Sequence, residues 1–226
     1  MSNTLKSWNE TQKKLKSIIL TKTNINETRS LILIQYQLVH ASEMVNLDYP
    51  TFEDELWTNL LEDDFRRIPN KSINSIAWHL WHSARIEDIT VSFLIAKLPQ
   101  ILETENFDKT LNVDFKDTGN SMGIEEMKIL SAKINMEELR QYRITVGKRT
   151  QEIIKSFTPE ILNTKVSKDA LEEIRVKGAV LKDANWLLDF WGNKKIAGIV
   201  LMPLTRHIMV HINKSKRLIR KRNKKS

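Results

Sequence analysis

The apolar positions of this chain recur at helical spacing along most of its length. Leu5, Trp8, Leu15 and Ile19 fall near one face of a short amphipathic helix. Asn24, with Glu27 three residues later, resembles a capping box. It opens a longer helix through Leu31, Ile34, Leu38 and Val45 that carries His40. The segment YPTFEDELWTNLLEDDFRRIPNK predicts a loop with short helical turns, and Pro69-Asn70 breaks the chain. Ser72 is placed to cap the next helix, which continues to about Lys97 and is stopped by Pro99. Periodicity is weak from Pro99 to Gly123, which reads as a long connection. It returns at Ile124. Asn135 with Glu138 marks a further cap, and that helix runs to about Ser156, before Pro159. Ser167 to Val180 predicts a short helix, and the dense apolar segment NWLLDFWGNKKIAGIV follows. Pro203 then sits where a first-turn proline is tolerated, and the last helix runs from Leu204 into the C-terminal tail.

Four of these helices are long enough to form a bundle: roughly 25–47, 72–98, 135–157 and 204–221. The fold class is therefore all-α, a four-helix bundle with additional short helices, in one domain over residues 1–226. Six glycines and five prolines are few for a turn-rich β architecture, which supports the same reading.

Composition changes the picture in three ways. There is no cysteine, so a transition-metal site must use histidine and carboxylates. No apolar run approaches the roughly 18–20 residues of a membrane span. The first residues, MSNTLKSWNETQKKLKS, hold no apolar signal core, so a cytoplasmic location and no membrane partner are expected. The net charge of +8 is concentrated in the tail 214–226, KSKRLIRKRNKKS, and the rest is close to neutral. That tail reads as a solvated, fraying helix end rather than a nucleic-acid surface, because no aromatic is interleaved to stack on bases.

Four of the five histidines fall in two tight pairs. His207 and His211 are four apart on the last helix and so share a face. Their stripe contains Leu204, Ile208, Ile212 and Leu218, which turns the imidazoles toward the core, where an unpaired polar group is costly. His79 and His82 lie three apart within SIAWHLWHSARIEDIT and share a face with Ile86 and Ile89. Two pairs on two helices suggest convergence on one divalent ion, and three histidines on Zn, Ni or Fe would leave coordination positions open. Spacing alone leaves satisfied core histidines as an equal alternative. Trp78 and Trp81 read equally well as core packing, and His40 as a lone core or surface histidine. Arg85, Glu87 and Asp88 follow His82: a carboxylate there is placed either to orient a ligand or to pair with Arg85 on the helix surface. There is no GxSxG and no glycine-rich phosphate loop.

The segment PNKSINSIAWHLWHSARIEDIT, followed far downstream by NWLLDFWGNKKIAGIVLMPLTRHIMVHINKSKRL, resembles the DinB/YfiT-like superfamily over about residues 27 to 218. The resemblance implies an up-down-down-up four-helix bundle that dimerises and binds Zn, Ni or Fe through three histidines. Here these would be His82, which Glu87 trails by five residues, with His207 and His211. His79 is left as an extra neighbour. Relatives include transferases and isomerases that use low-molecular-weight thiols, so the resemblance implies the site better than the reaction. The first expectation is a thiol S-transferase in which Glu87 orients a ligand and Arg85 contacts an anion. The second is a metal-dependent hydrolase with His79 as proton shuttle, and the third a non-enzymatic metal- or ligand-binding protein of a stress response. The long 99–123 connection and the enlarged 159–201 region depart from compact members of the family.

Overall fold

The computed structural model describes residues 4–21, 24–44, 47–58, 60–69 and 74–223. Ser72, Val45 and the last three residues of the basic tail lie outside them. The main helices are α1 (Leu5–Ile18), α2 (Ile25–Gln37), α3 (Ile76–Ile89), α4 (Ile124–Lys133), α5 (Met136–Lys155) and α6 (His207–Asn223). No β-strand occurs among the described residues; one isolated bridge joins Lys165 and Lys195. The fold is all-α. α2 packs on α5, α5 on α3 and α3 on α6, and the turn leading into α6 packs back on α2, so the four close a bundle. α1 lies across α2, where the Gln35 amide donates to the Trp8 carbonyl and to Gln12 Oε1.

α3 is the central element. Every residue from Ile76 to Ile89 is buried, because neighbours cover it on all sides. The surface pairing expected for Arg85 is therefore corrected: Arg85 and Asp88 meet at 3.2 Å in the interior. Arg85 also donates to Tyr142 Oη at 2.6 Å and to Gln100 Oε1 at 2.6 Å. Asp88 accepts from Tyr142 Oη, Arg149, Ser92 Oγ and the backbone N–H groups of Ile101 and Leu102. Those two amides open the short helix Ile101–Thr104, so Asp88 pins the long 99–123 connection to the bundle. Asp88→Ala would leave the buried Arg85 without its counter-ion and the two amides without their acceptor. We expect it to destabilise the fold by about 3–5 kcal/mol, read as a shift of the urea midpoint.

Three helix ends differ from the sequence reading. α2 stops at Gln37 rather than near residue 47, because the Leu38 carbonyl accepts from Phe52 N and the His40 carbonyl from Thr51 Oγ1. The cap of α3 is Ser75, whose Oγ accepts from Trp78 N at 3.0 Å. α3 then widens into a π-helical stretch, Thr90–Ala96, and ends at Lys97 in the left-handed conformation. Pro203 does not begin a helix. The helix starts at Ile196 and passes the proline through a π-helical turn, Met202–Arg206. A wide turn accommodates a residue with no N–H. Thr205 Oγ1 donates to the Val200 and Leu201 carbonyls there, and Gln12 Nε2 also donates to Leu201 O.

The resulting continuous helix, Ile196–Arg220, is long and apolar enough to cross a membrane by length and composition. Of its most apolar window 61% is buried inside the protein, as in a core helix. The enlarged 159–201 region folds into short helices, among them Lys168–Val176 and Trp186–Gly192.

Candidate metal centre

α3 and α6 bring their histidines face to face. His82 Nε2 lies 3.2 Å from His207 Nε2. Ligand atoms of His82, His207 and His211 all fall within 4.8 Å of one another. A tetrahedral ion with Zn–N bonds of 2.0–2.1 Å separates its ligand atoms by about 3.3 Å, so the His82–His207 spacing fits a shared ion. The turn at Met202–Arg206 sets the angular position from which His207 enters α6.

The supporting contacts fix ring orientation. His82 Nδ1 faces the Thr118 carbonyl, which only accepts, so Nδ1 carries the proton and Nε2 keeps its lone pair toward His207. Trp78 stacks on His82 with ring centroids 4.3 Å apart and planes 9° from parallel. His79 Nδ1 lies 2.9 Å from His211 Nδ1. One of the two must donate. If His211 binds an ion through Nε2, its Nδ1 is the donor and neutral His79 accepts. His207 Nδ1 is buried and has no hydrogen-bond partner among the described residues.

Burial keeps these imidazoles neutral. Desolvation lowers His79 to about 3, helped by Lys214 and His82. Desolvation also lowers His82 to about 4, against the Thr118 hydrogen bond. Burial, with the neighbouring histidines, holds His207 and His211 well below the usual imidazole range. Neutral imidazoles are the form that ligates metal. Three neutral nitrogens with two of the rings oriented by hydrogen bonds therefore fit a divalent ion, and the cluster could bind one.

A family model described as the DinB superfamily matches residues 54–182. The chain belongs to the DinB superfamily. No curated protein shows significant similarity to it. The matched stretch contains His79 and His82 but ends before His207 and His211. In this DinB-superfamily chain the α6 half of the cluster thus stands on the geometry above.

The other residues singled out in the sequence lie elsewhere. Both oxygens of Glu87 are engaged away from the three-histidine cluster: Tyr36 Oη donates to one, and His40 Nε2 meets the other at 2.9 Å. His40 Nδ1 donates to the Tyr36 carbonyl. Burial opposes a charge on His40, but Glu87 outweighs it and raises the histidine above its ordinary value. Glu87 is thus part of a core network and does not orient His82; the Thr118 carbonyl does. Arg85 is fully buried on protein partners rather than turned toward an anion site. His79 is the sequence candidate that does reach the cluster, through His211.

Thr118 carried no sequence signal, because its contribution is a backbone carbonyl. The next residue, Gly119, has a φ of +70°, which favours glycine, and a Cβ there would collide with the Trp81 indole. His79→Ala should leave the fold intact and lower metal affinity about 10–100-fold, the usual cost of removing a partner that orients a ligand. Competitive titration against a chromogenic chelator measures it.

Proposed function

We propose that this chain is a metal-dependent enzyme in which His82, His207 and His211 hold one divalent ion, Zn, Ni or Fe, that activates a low-molecular-weight thiol for transfer to an electrophile. The observation that carries the reading is that His207 belongs to the histidine cluster and also lines a mostly apolar cavity of about 220 Å³. Ile86, Leu187, Trp191 and Met202 wall that cavity, and Asn120 lines it as well. Its lining is mostly apolar and offers few groups besides Asn120 and His207 for a polar ligand atom to meet.

The ion, when bound, would hold a coordinating thiol as thiolate at neutral pH. The chain supplies the rest. Thr118 holds His82 in the tautomer that ligates, and His79 holds His211. Three protein ligands leave a position for substrate. The Asn120 side-chain oxygen is buried without a partner and can accept a hydrogen bond from the bound molecule.

Hydrolysis is the second reading. It needs a base or shuttle beside the ion, and the sequence candidate, His79, is engaged with His211 Nδ1. Among the described residues no carboxylate lines the cavity. Both facts leave hydrolysis without a protein base or shuttle beside the ion. The assembly in this reading is a homodimer, and the partner is a small molecule rather than a nucleic acid.

The test is conjugation of low-molecular-weight thiols to a chromogenic electrophile by the metal-loaded protein. Turnover that disappears on chelation and returns with the ion supports the reading. A loaded site with no turnover for any such thiol, but with ester or amide hydrolysis, would replace it with the second.

A further inference from the structure

Beside the apolar cavity lies a larger cleft of about 720 Å³ between α1 and the segment 190–206. Four cationic side chains line it: Lys13, Lys16, Lys194 and Arg206. Among the described residues no carboxylate does. Among the described residues none of the four takes part in an ion pair or a side-chain hydrogen bond, whereas Lys14, one residue from Lys13, pairs with Glu27 at 2.8 Å. Lys194 Nζ instead sits 4.5 Å above the Phe190 ring. A concave wall of one charge sign, with apolar surface beneath it, concentrates small counter-ions.

Phe190 and Met202 line both this cleft and the inner cavity, so the two adjoin across those side chains. The apolar cavity is lined by Asn120 and His207, whose Oδ1 and Nδ1 are buried without a partner among the described residues. Its volume is below the roughly 300–1,000 Å³ of a complete ligand site, which suits part of a molecule rather than a whole one.

We propose that the cleft binds the acidic group, carboxylate or phosphate, of a small organic anion whose compact apolar body passes Phe190 and Met202 into the inner cavity. The orientation of that body toward His207 rests on the function proposed above; the anion site itself does not. Lys16 and Lys194 hold the head group from the two sides of the cleft, and Trp191 and Leu187 pack on the body. The reactive end then lies at the histidine cluster.

The test is calorimetric titration of the full chain, chelator-treated and metal-loaded, with three probes: 4-phenylbutyrate, 4-phenylbutyl phosphate and the neutral 4-phenylbutanol. At least one anion is expected to bind the chelator-treated protein about tenfold or more tighter than the alcohol. The better of the two anions identifies the head group. Lys16→Glu and Lys194→Glu should each weaken that anion about tenfold or more and leave the alcohol unchanged. Both are surface substitutions on opposite walls, so a folding defect in one leaves the other to decide. Equal binding of anion and alcohol, no anion binding at millimolar concentration in either state, or unchanged affinity in both variants overturns the proposal. Anion binding in a protein that takes up no metal supports the anion site while removing the catalytic reading. Metal uptake without anion binding does the reverse.

Discussion

Purified without added metal and without a histidine tag, the protein is expected to carry about one Zn, Ni or Fe per chain, and His207→Ala none. Elemental analysis beside a folding measurement checks this. His207 is the most informative ligand to remove. It is only partly buried, and its Nδ1 makes no hydrogen bond, so its loss takes little from the fold. His82→Ala should also abolish the metal. It additionally removes the ring stacked against Trp78 and leaves the Thr118 carbonyl without its donor, so a drop in melting temperature should accompany it. Loss of metal in both variants, with a folded His207→Ala, assigns the ion to this cluster. A wild-type protein that stays empty after reconstitution under reducing conditions would return the histidines to core packing, and the thiol chemistry would fall with them.

The sequence made α6 and its histidine pair legible because HxxxH at helical spacing needs only one helix to bring two imidazoles together. The pairing of α3 with α6 followed from the apolar stripes the two pairs share. What spacing did not reveal was which polar groups serve the cluster. Glu87 stands five residues after His82 and reads as its support, yet it faces Tyr36 on α2 and His40 just beyond that helix. A helix buried on all sides gives each polar residue a different neighbour, and linear distance does not say which. The extent of α2 was overread for a related reason. Its periodicity continues past Gln37, but the carbonyls beyond are claimed by Thr51 and Phe52, partners that only the fold supplies. The cationic cleft is not legible in the sequence, because Lys13 and Lys16 read as an ordinary solvated helix face until the 190–206 segment is set against them.

The same burial that prepares the histidines for an ion makes the metal-free protein sensitive to acid. His79 and His82 titrate near 6.5 when unfolded but near 3 and 4 in the fold, mainly because desolvation penalises the cation. The unfolded chain therefore binds more protons than the native chain between those limits, and stability falls as pH falls. The effect begins below about pH 6.5. By pH 4 it amounts to roughly 3 kcal/mol from each of the two, with His207 and His211 acting in the same direction. A loss of several kcal/mol is a large part of the whole stability of many domains. His40 has the opposite sign: Glu87 raises its value in the fold, so its stabilisation is fully present below pH 6.5 and is lost only as pH rises through that raised value. It offsets nothing further on the acid side. The chelator-treated protein should thus unfold cooperatively on going from pH 6.5 to 4, followed by far-UV circular dichroism. The His79→Gln variant, which removes one depressed histidine, should move the midpoint to lower pH. Bound metal should move it the same way, because protons must displace the ion before the ligands can charge. A metal-free protein as resistant to urea at pH 4 as at pH 7 would mean that the four rings are solvated in solution, and that the cluster is more open than its packing against Trp78 and Thr118 describes.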